Sequence, residues 1–206
     1  FMDQPANDLE AGKDYVSVVS ADNYGNGVAS AHILANSIGK KGKIAALYHD
    51  ADFFVTEQRY EGFKKTIEEE YPDIQIIAEK GVSDSDLVAQ SQQQADAIIN
   101  QNPDLAGMWA PWDVPAEGVM AAARSAGRND LKITTIDLGE SVGVAMAQNQ
   151  LISGTSAQRP YDQGVTEAKI AAGARVLGKT YPTYVALSAL PVTRTNLKEA
   201  WSEVYH

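Results

Sequence analysis

The chain has 206 residues, enough for one large domain or two small ones. Its formal net charge of −10 argues against a nucleic-acid partner, because phosphate binding requires clustered Lys and Arg side chains. It contains no cysteine, which excludes disulfides, thiol nucleophiles and thiolate metal sites. No apolar run approaches the roughly 20 residues of a membrane-spanning helix, so we expect no direct insertion into a membrane.

The hydrophobic periodicity predicts helices and strands that alternate along the chain. FMDQPA, residues 1–6, reads as the end of a buried strand, and no initiator Met or signal-peptide pattern precedes it, so we expect the chain to begin within a longer protein. Asp22 and Asn23 are candidate N-caps of a first helix that runs to about Ser37, and Thr56 is the candidate cap of a second.

The remaining predicted elements follow in order: strand 43–49, helix 57–71, strand 74–79, helix 84–101 with an acidic first turn, strand 105–110, helix 115–127, strand 132–138, a short helix around 142–148, strand 152–158, helix 163–178, a stretch at 181–196 and a last helix at 197–205. Strands that alternate with helices of this length indicate repeated βαβ units. The predicted fold class is therefore α/β, with a doubly wound, mostly parallel sheet.

Polar and aromatic residues stand where the predicted strands end, and in open α/β sheets ligands bind outside those carboxyl ends. The residues at these positions include Asp3, Phe53, Phe54, Arg59, Trp112, Asp113, Asp137 and Gln158. Carboxylates accept hydroxyl hydrogens, a guanidinium offers forked donors, and aromatic rings supply flat apolar faces. A sugar or a polyol presents the matching mixture of adjacent hydroxyls and C–H faces.

Each of these residues also has a purely structural interpretation. Asp113 can be only the N-cap of its helix, Asp137 can close a turn, and Arg59 can pair with Glu57 or Glu61 in solvent.

The aromatic residues likewise have both a structural and a ligand-binding interpretation. Phe53 and Phe54 can be packing residues, and only one of an adjacent pair is expected to face a cleft. Trp109 lies within its strand and is a better core candidate than Trp112, which comes after the strand.

The sequence offers little support for catalysis. DNYGNG, residues 22–27, lacks the Lys-Ser/Thr ending of a phosphate-binding P-loop. The histidines His32, His49 and His206 are scattered, and no nucleophile elbow is legible. We therefore predict no catalytic residue, no cofactor and no metal site.

The chain resembles the type I periplasmic binding proteins of sugar transporters, the group of the ribose, galactose and xylose receptors. The resemblance covers nearly all of the chain and rests on FMDQPA, SADNYGNG, EQRYEGF, NPDLAGMWAPWD, ITTIDLGE and SGTSAQRPYDQG. These segments are similar to two sugar-binding strand ends, two hinge crossings, an R-x-x-G-F helix and a segment whose residue before an Asp contacts ligand. Together with the strand-end argument, the resemblance implies eight ligand-binding residues: Asp3, Gln4, Phe54, Arg59, Trp112, Asp113, Asp137 and Gln158.

Two departures from the family pattern bear on the ligand. Gln4 stands where Arg is usual, and Trp112 stands where Asn is usual. Both changes argue against ribose or a similar aldopyranose. A monosaccharide or sugar alcohol ranks first, ahead of an amino sugar or a cationic metabolite.

The resemblance also implies how the chain is organised. Residues 1–20 would be the end of an N-terminal-lobe strand and the first hinge crossing, and 21–157 the C-terminal lobe. Residues 158–182 would hold the second hinge and the returning N-terminal-lobe helix, and 183–206 the third crossing and the tail. The first half of the N-terminal lobe has no counterpart, so we expect exposed apolar surface and self-association of the fragment.

The implied function is that of the solute-binding component of a sugar-type ABC transporter. It would be non-catalytic, would have a signal peptide in its precursor and would dock on a permease from the periplasm, or from a lipid anchor in a Gram-positive cell. The alternatives are the effector-binding domain of a LacI-type transcriptional repressor, which shares this fold and pocket, and an α/β enzyme that acts on a sugar.

Overall fold

The computed structural model describes residues 1–6, 8–83 and 85–205. The elements in chain order are β1 (Val18–Ala21), α1 (Asn23–Ser37), β2 (Gly42–His49), α2 (Phe54–Glu70), β3 (Ile74–Val82), α3 (Leu87–Gln101), β4 (Leu105–Trp109), α4 (Asp113–Ser125), β5 (Lys132–Ile136), α5 (Glu140–Ala147), β6 (Ile152–Ala157), α6 (Pro160–Leu177), β7 (Tyr184–Leu187), β8 (Leu190–Thr193) and α7 (Leu197–Val204). Among the described residues, no helix has the length and apolar character needed to cross a bilayer.

The strands form two sheets. The larger has six strands in the order β3-β2-β4-β5-β6-β8, all parallel except the antiparallel pair β6 and β8. The smaller pairs β1 with β7 in parallel, and α6 packs against β1. The chain therefore passes between the two sheets after β1, after β6 and between β7 and β8. The predicted mostly parallel α/β fold is confirmed.

The core of the larger sheet lies on both of its faces because successive strand residues point to opposite sides. In β2, Ile44 and Ala46 belong to one buried cluster, which includes residues of α1 and α2. Ala45 and Leu47 belong to the other, which includes residues of α3, α4, α5 and α7. A sheet covered on both faces explains why its strands read as continuous apolar runs.

Two glycines set how closely α1 and α2 approach each other. A Cβ at Gly27 would collide with the backbone of Arg59, and a Cβ at Gly62 would collide with the backbone of Tyr24. Only glycine permits this approach, which brings Arg59 beside Asn23 at the start of α1. Asp22, as predicted, is the N-cap of α1, and its carboxylate accepts the Gly25 N–H at 2.9 Å.

Four helices, α2, α4, α5 and α6, begin two or three residues earlier than the sequence predicts, and two of these shifts affect predicted caps. α2 begins at Phe54 with Phe53 as its N-cap, so the prediction that Thr56 is the cap is wrong. The Thr56 hydroxyl instead donates back to the Phe53 carbonyl at 3.1 Å, as a residue inside the helix does. α4 begins at Asp113, with Trp112 rather than Asp113 at the N-cap position.

Three smaller predictions meet the structure as follows. Phe1 and Met2 are more than half exposed, so the first residues are not a buried strand, although Met2 forms a parallel bridge with Val19. The predicted stretch at 181–196 contains two strands, β7 and β8, which belong to different sheets. Asp84, in the predicted acidic first turn of α3, and His206 lie outside the described residues.

Candidate functional site

Six of the predicted residues meet at the carboxyl ends of the strands, around two adjoining cavities. The first, of about 410 Å³, is lined by Asp3, His49, Phe53, Val55, Thr56, Arg59, Trp112 and Gln158. The second, of about 390 Å³, is lined by Met2, Asp3, Asp113, Asp137, Leu138, Gly139, Gln158, Pro160, Gln163, Val204 and Tyr205. Asp3 and Gln158 line both, so the two cavities share a wall. Each volume is within the usual range of small-molecule sites, about 300–1,000 Å³.

Asp137, just after β5, is held by donors from two other elements. Its Oδ2 accepts Arg59 Nη1 at 3.1 Å, and its Oδ1 accepts Gln158 Nε2 at 2.6 Å. The Thr155 hydroxyl donates to the Asp137 backbone carbonyl at 2.8 Å. The residue has a φ of 70°, in the left-handed region that Asp tolerates better than most residues. The orientation of this carboxylate is therefore fixed by its surroundings.

Arg59 belongs to this network and is only 3% exposed. Its Nε donates to Asn23 Oδ1 at 3.3 Å, and its Nη1 also donates to the Pro111 carbonyl at 3.1 Å. The ion pair with Asp137 replaces the alternative pairing with glutamates of the same helix. A buried guanidinium with fixed partners can position a carboxylate and still line a cavity.

Asp113 is a carboxylate that resists ionisation. Burial raises its pKa, and the negative charge of Asp137 raises it further. Its Oδ1 accepts the Val114 N–H at 3.0 Å. A Cβ at Gly139 would collide with the Asp113 carboxylate, so glycine at that position allows the carboxylate to approach the start of α5.

Tyr205 closes the second cavity from the C-terminal tail. Its hydroxyl donates to the Leu138 carbonyl at 2.6 Å. Burial raises its pKa, as do the charges of Asp113 and Asp137. The hydroxyl therefore stays protonated beside the acidic groups.

Aromatic rings form one side of the first cavity. The His49 ring meets Trp112 edge-on at 5.1 Å between centroids and Phe53 at 6.3 Å. His49 Nδ1 lies 3.0 Å from the Thr56 hydroxyl, which fixes the imidazole between the two rings. Trp109 is different: it is fully buried and stacks on Phe63 at 4.6 Å.

The structure separates two predicted residues from the others. Phe54 does not line either cavity, and its neighbour Phe53 does. Phe53 has an extended backbone before the helix, whereas Phe54 is already the first helical residue. Gln4 also lines neither cavity, and its buried Oε1 has no hydrogen-bond partner among the described residues.

The prediction omitted four lining residues with polar side chains. His49 ends β2, and Thr56 lies in the first turn of α2, the helix that follows this strand, so the strand-end rule could have found both. Gln163 lies inside α6, and Tyr205 follows α7. Nothing in the local sequence marks these two, because only the packing of α6 and the tail brings them to the cavity.

This site can accept hydroxyl hydrogens and pack against an apolar face. Asp3, Asp113 and Asp137 are the acceptors, and Trp112 and Phe53 provide the rings. Within the described part of the chain, no group of three or more His, Cys, Asp or Glu side chains is arranged to hold a metal ion. The fold and the site thus define an α/β protein with two small adjoining cavities at its strand ends, lined by polar and aromatic side chains.

Comparison with known proteins gives the family. The family model of the periplasmic binding protein domain matches residues 1–179, and the chain belongs to this family. The solute-binding protein of an ABC transporter from Agrobacterium vitis, solved with bound α-D-tagatopyranose, has a TM-score of 0.85 at 24% identity. The match covers 100% of this chain and 70% of that one. The predicted resemblance to the type I proteins of sugar transporters is confirmed.

Three further relatives are informative. A periplasmic solute-binding protein from Actinobacillus succinogenes with bound D-allose has a TM-score of 0.84 and 27% identity over 96% of this chain and 70% of its own. The D-apiose import binding protein of Actinobacillus succinogenes is 27% identical over 72% of this chain and 47% of its own. The ribose operon repressor of Halalkalibacterium halodurans is 31% identical over 55% of this chain and 33% of its own. The chain thus spans less than half the length of either curated relative.

Proposed function

We propose that this protein is the solute-binding component of a sugar-type ABC transporter and that it captures a monosaccharide or a sugar alcohol. The observation that carries the proposal is the convergence of Asp3, Asp137 and Gln158 on cavities that also hold Arg59 and Trp112. Fixed carboxylates suit ligand hydroxyls, and the Trp112 ring suits a C–H face. No covalent step is required, so the protein acts by binding.

The relatives support the ligand class. The Actinobacillus succinogenes protein with D-allose is similar over nearly the whole chain, and the D-apiose import protein matches most of it. Both ligands in these names are neutral sugars. The carboxylates here outnumber the one guanidinium, and an anionic sugar would be repelled by them.

The proposal includes a place and a partner. The protein would act in the periplasm or at the outer surface of a Gram-positive cell, and would deliver its ligand to a membrane permease. The six-stranded unit would be the C-terminal lobe, and β1, β7 and α6 would belong to the N-terminal lobe. The three chain passages between the sheets would then be the hinge about which the lobes close.

A thermal-shift panel tests the ligand class directly. The panel would contain D-allose, D-tagatose, allitol and D-arabinose, with glucuronate and choline as charged controls. A neutral sugar at about 100 times its dissociation constant stabilises the folded state by about 2.7 kcal/mol. A stabilisation by choline or glucuronate alone would overturn the neutral-ligand proposal.

The two tryptophans provide a matched pair for the same assay. Trp112→Ala removes a ring from the cavity, so it should weaken sugar binding by about tenfold, the scale of a lost ring contact. Trp109→Ala alters the buried cluster instead and should change affinity less at equal folded content. If Trp109→Ala weakened sugar binding more than Trp112→Ala does, Trp112 would not be a ligand-binding residue.

A second candidate function rests on the ribose operon repressor, which is 31% identical over 118 residues. In that case the same cavity would bind an effector that controls DNA binding. The residues that the gene encodes before Phe1, if any, distinguish the candidates: a basic helix-turn-helix would indicate a repressor, and a signal peptide a transport protein. An enzyme would be recognised by turnover of the bound sugar.

A further inference from the structure

Gln163 is a polar residue on the buried face of α6. It is 3% exposed, and the other buried residues of this helix are Ile170 and Gly173. Burying an amide without hydrogen bonds costs free energy, so a glutamine on this face requires partners. Its Nε2 has two: Asp3 Oδ1 at 2.7 Å and the Val19 carbonyl at 3.0 Å.

These contacts fix the side chain of Asp3. The backbone N–H of Asp3 also donates to the Val19 carbonyl, at 2.9 Å, so Gln163 and Asp3 share that acceptor. Asp3 has a φ of 64°, which turns the chain directly after its bridge to β1. Among the described residues, Asp3 Oδ2 makes no hydrogen bond, and Asp3 lines both cavities.

The arrangement repeats what is seen at Asp137. Asp3 and Asp137 both have a left-handed backbone and both end a strand segment that leads into the site. Gln158 donates to Asp137 at 2.6 Å, and Gln163 donates to Asp3 at 2.7 Å. Both amides come from one short segment, between the end of β6 and the first turns of α6.

We propose that Gln163 is a positioning residue for ligand binding, which holds the Asp3 carboxylate in one orientation as Gln158 holds that of Asp137. The inference rests on the proposed function, since Asp3 must contact the ligand. An amide donor at Oδ1 leaves Oδ2 to accept a ligand hydroxyl. A carboxylate that is already held in place loses less conformational entropy when the ligand binds, so the affinity is higher.

The first test needs no ligand. The side-chain amide of Gln163 is assigned in a ¹⁵N spectrum by its absence from Gln163→Glu, and Asp3→Asn is then recorded. Because the amide donates to the carboxylate, its protons should shift in Asp3→Asn and exchange faster with solvent. Resonances unmoved by Asp3→Asn would overturn the proposal, whether or not any sugar binds.

The second test uses D-allose or the panel sugar with the largest thermal shift, measured by calorimetry. Gln163→Met keeps the volume and removes the donor, so affinity should fall by about tenfold. The matched control is Gln93→Met on the exposed face of α3, which should bind as the wild type does. If Gln163 acts through Asp3, the double variant Asp3→Asn/Gln163→Met should lose little more sugar affinity than the weaker-binding of the two single variants. Additive losses, or an unchanged affinity in Gln163→Met, would overturn the proposal.

Gln163→Glu adds a readout that a purely structural role would not produce. A second carboxylate facing Asp3 should abolish binding near pH 7 and permit some recovery near about pH 5, where a protonated Glu can again donate. The wild type is measured over the same interval as the reference, because His49 and Asp113 also line the cavities and are present in both proteins. A wild type that binds no sugar would contradict the proposed function, and the ligand-free test would still decide whether the Gln163 amide holds Asp3.

Discussion

The two sheets of this protein are covered to very different extents. The six-stranded sheet has a buried cluster on each face, and helices cover both. The pair β1 and β7 has α6 on one side, and α6 leaves Val176 and Leu177 76% and 65% exposed. Phe1, Met2 and Tyr184 in the same region are also exposed. The six-stranded sheet is thus packed on both faces, whereas the region of β1, β7 and α6 presents apolar side chains that no described residue covers.

This difference matters for the site, because its residues come from both regions. Asp137, Arg59 and Trp112 are carried by the well-packed sheet and its helices, and Asp3 is carried by the exposed region. The short chain segment that carries Gln158 and Gln163 joins the two regions, because Gln158 donates to Asp137 and Gln163 donates to Asp3. We therefore expect the part of the site around Asp3 to be the more easily disturbed.

The largest expected effect is in the packed region. Trp109→Ala removes a fully buried ring that stacks on Phe63 and whose Nε1 donates to Ser30 at 2.8 Å. The free energy of unfolding should fall by about 3–5 kcal/mol, as for other aromatic truncations in cores. Urea denaturation measures this, and a loss below about 1 kcal/mol would mean that this cluster is not a tight core.

In the exposed region, the expected effects are smaller and differ between the two faces of α6. Ile170→Ala, on the buried face, should cost about 2 kcal/mol of unfolding free energy. Val176→Ser, on the exposed face, should change it by less than about 0.5 kcal/mol. A large loss in Val176→Ser would show that something covers this face in solution.

Val176→Ser also tests self-association, which remains a prediction. If copies of the chain meet through the exposed face of α6, Val176→Ser should lower the mass observed by light scattering at high protein concentration, because it removes apolar surface. A mass that is unchanged by the substitution would assign the association to another surface, or show the wild type to be monomeric.

The smallest effect is a pH dependence at Asp113. The pKa of Asp113 is raised, so the folded state favours the protonated acid. Its contribution to the free energy of unfolding is therefore present at low pH and is lost as the pH rises through the pKa of the folded state. Asp113→Asn should therefore equal the wild type at acid pH and exceed its melting temperature slightly near neutrality. Thermal unfolding across the acid to neutral range measures this difference.

Asp130→Asn is a control for which the expected change in stability near neutral pH has the opposite sign. The hydrogen bond from Arg128 lowers the pKa of Asp130, so this carboxylate contributes stability that is present at neutral pH and lost on acidification. The variant should be slightly less stable near neutrality. If Asp113→Asn were also less stable there, burial would not be the dominant influence on Asp113.

Local patterns in the sequence were enough to predict much of the fold. Repeated apolar runs between capped helices predicted the parallel sheet, because a strand buried on both faces needs such a run and Asp22 can satisfy the first N–H groups of α1. Residues that directly follow strands, such as Asp137 and Gln158, were likewise predictable from the rule that parallel strands present their carboxyl ends at one edge.

Tertiary structure decided the rest. Which of Phe53 and Phe54 faces the cavity depends on where α2 begins, and a shift of one residue reverses the answer. Gln163 and Tyr205 join the site only because α6 and the tail fold back against it from far along the chain. By itself, the sequence determined the sheet and the acceptors at its edge, because those depend on local periodicity. The partners that orient the acceptors depend on contacts between distant segments, which no local pattern encodes.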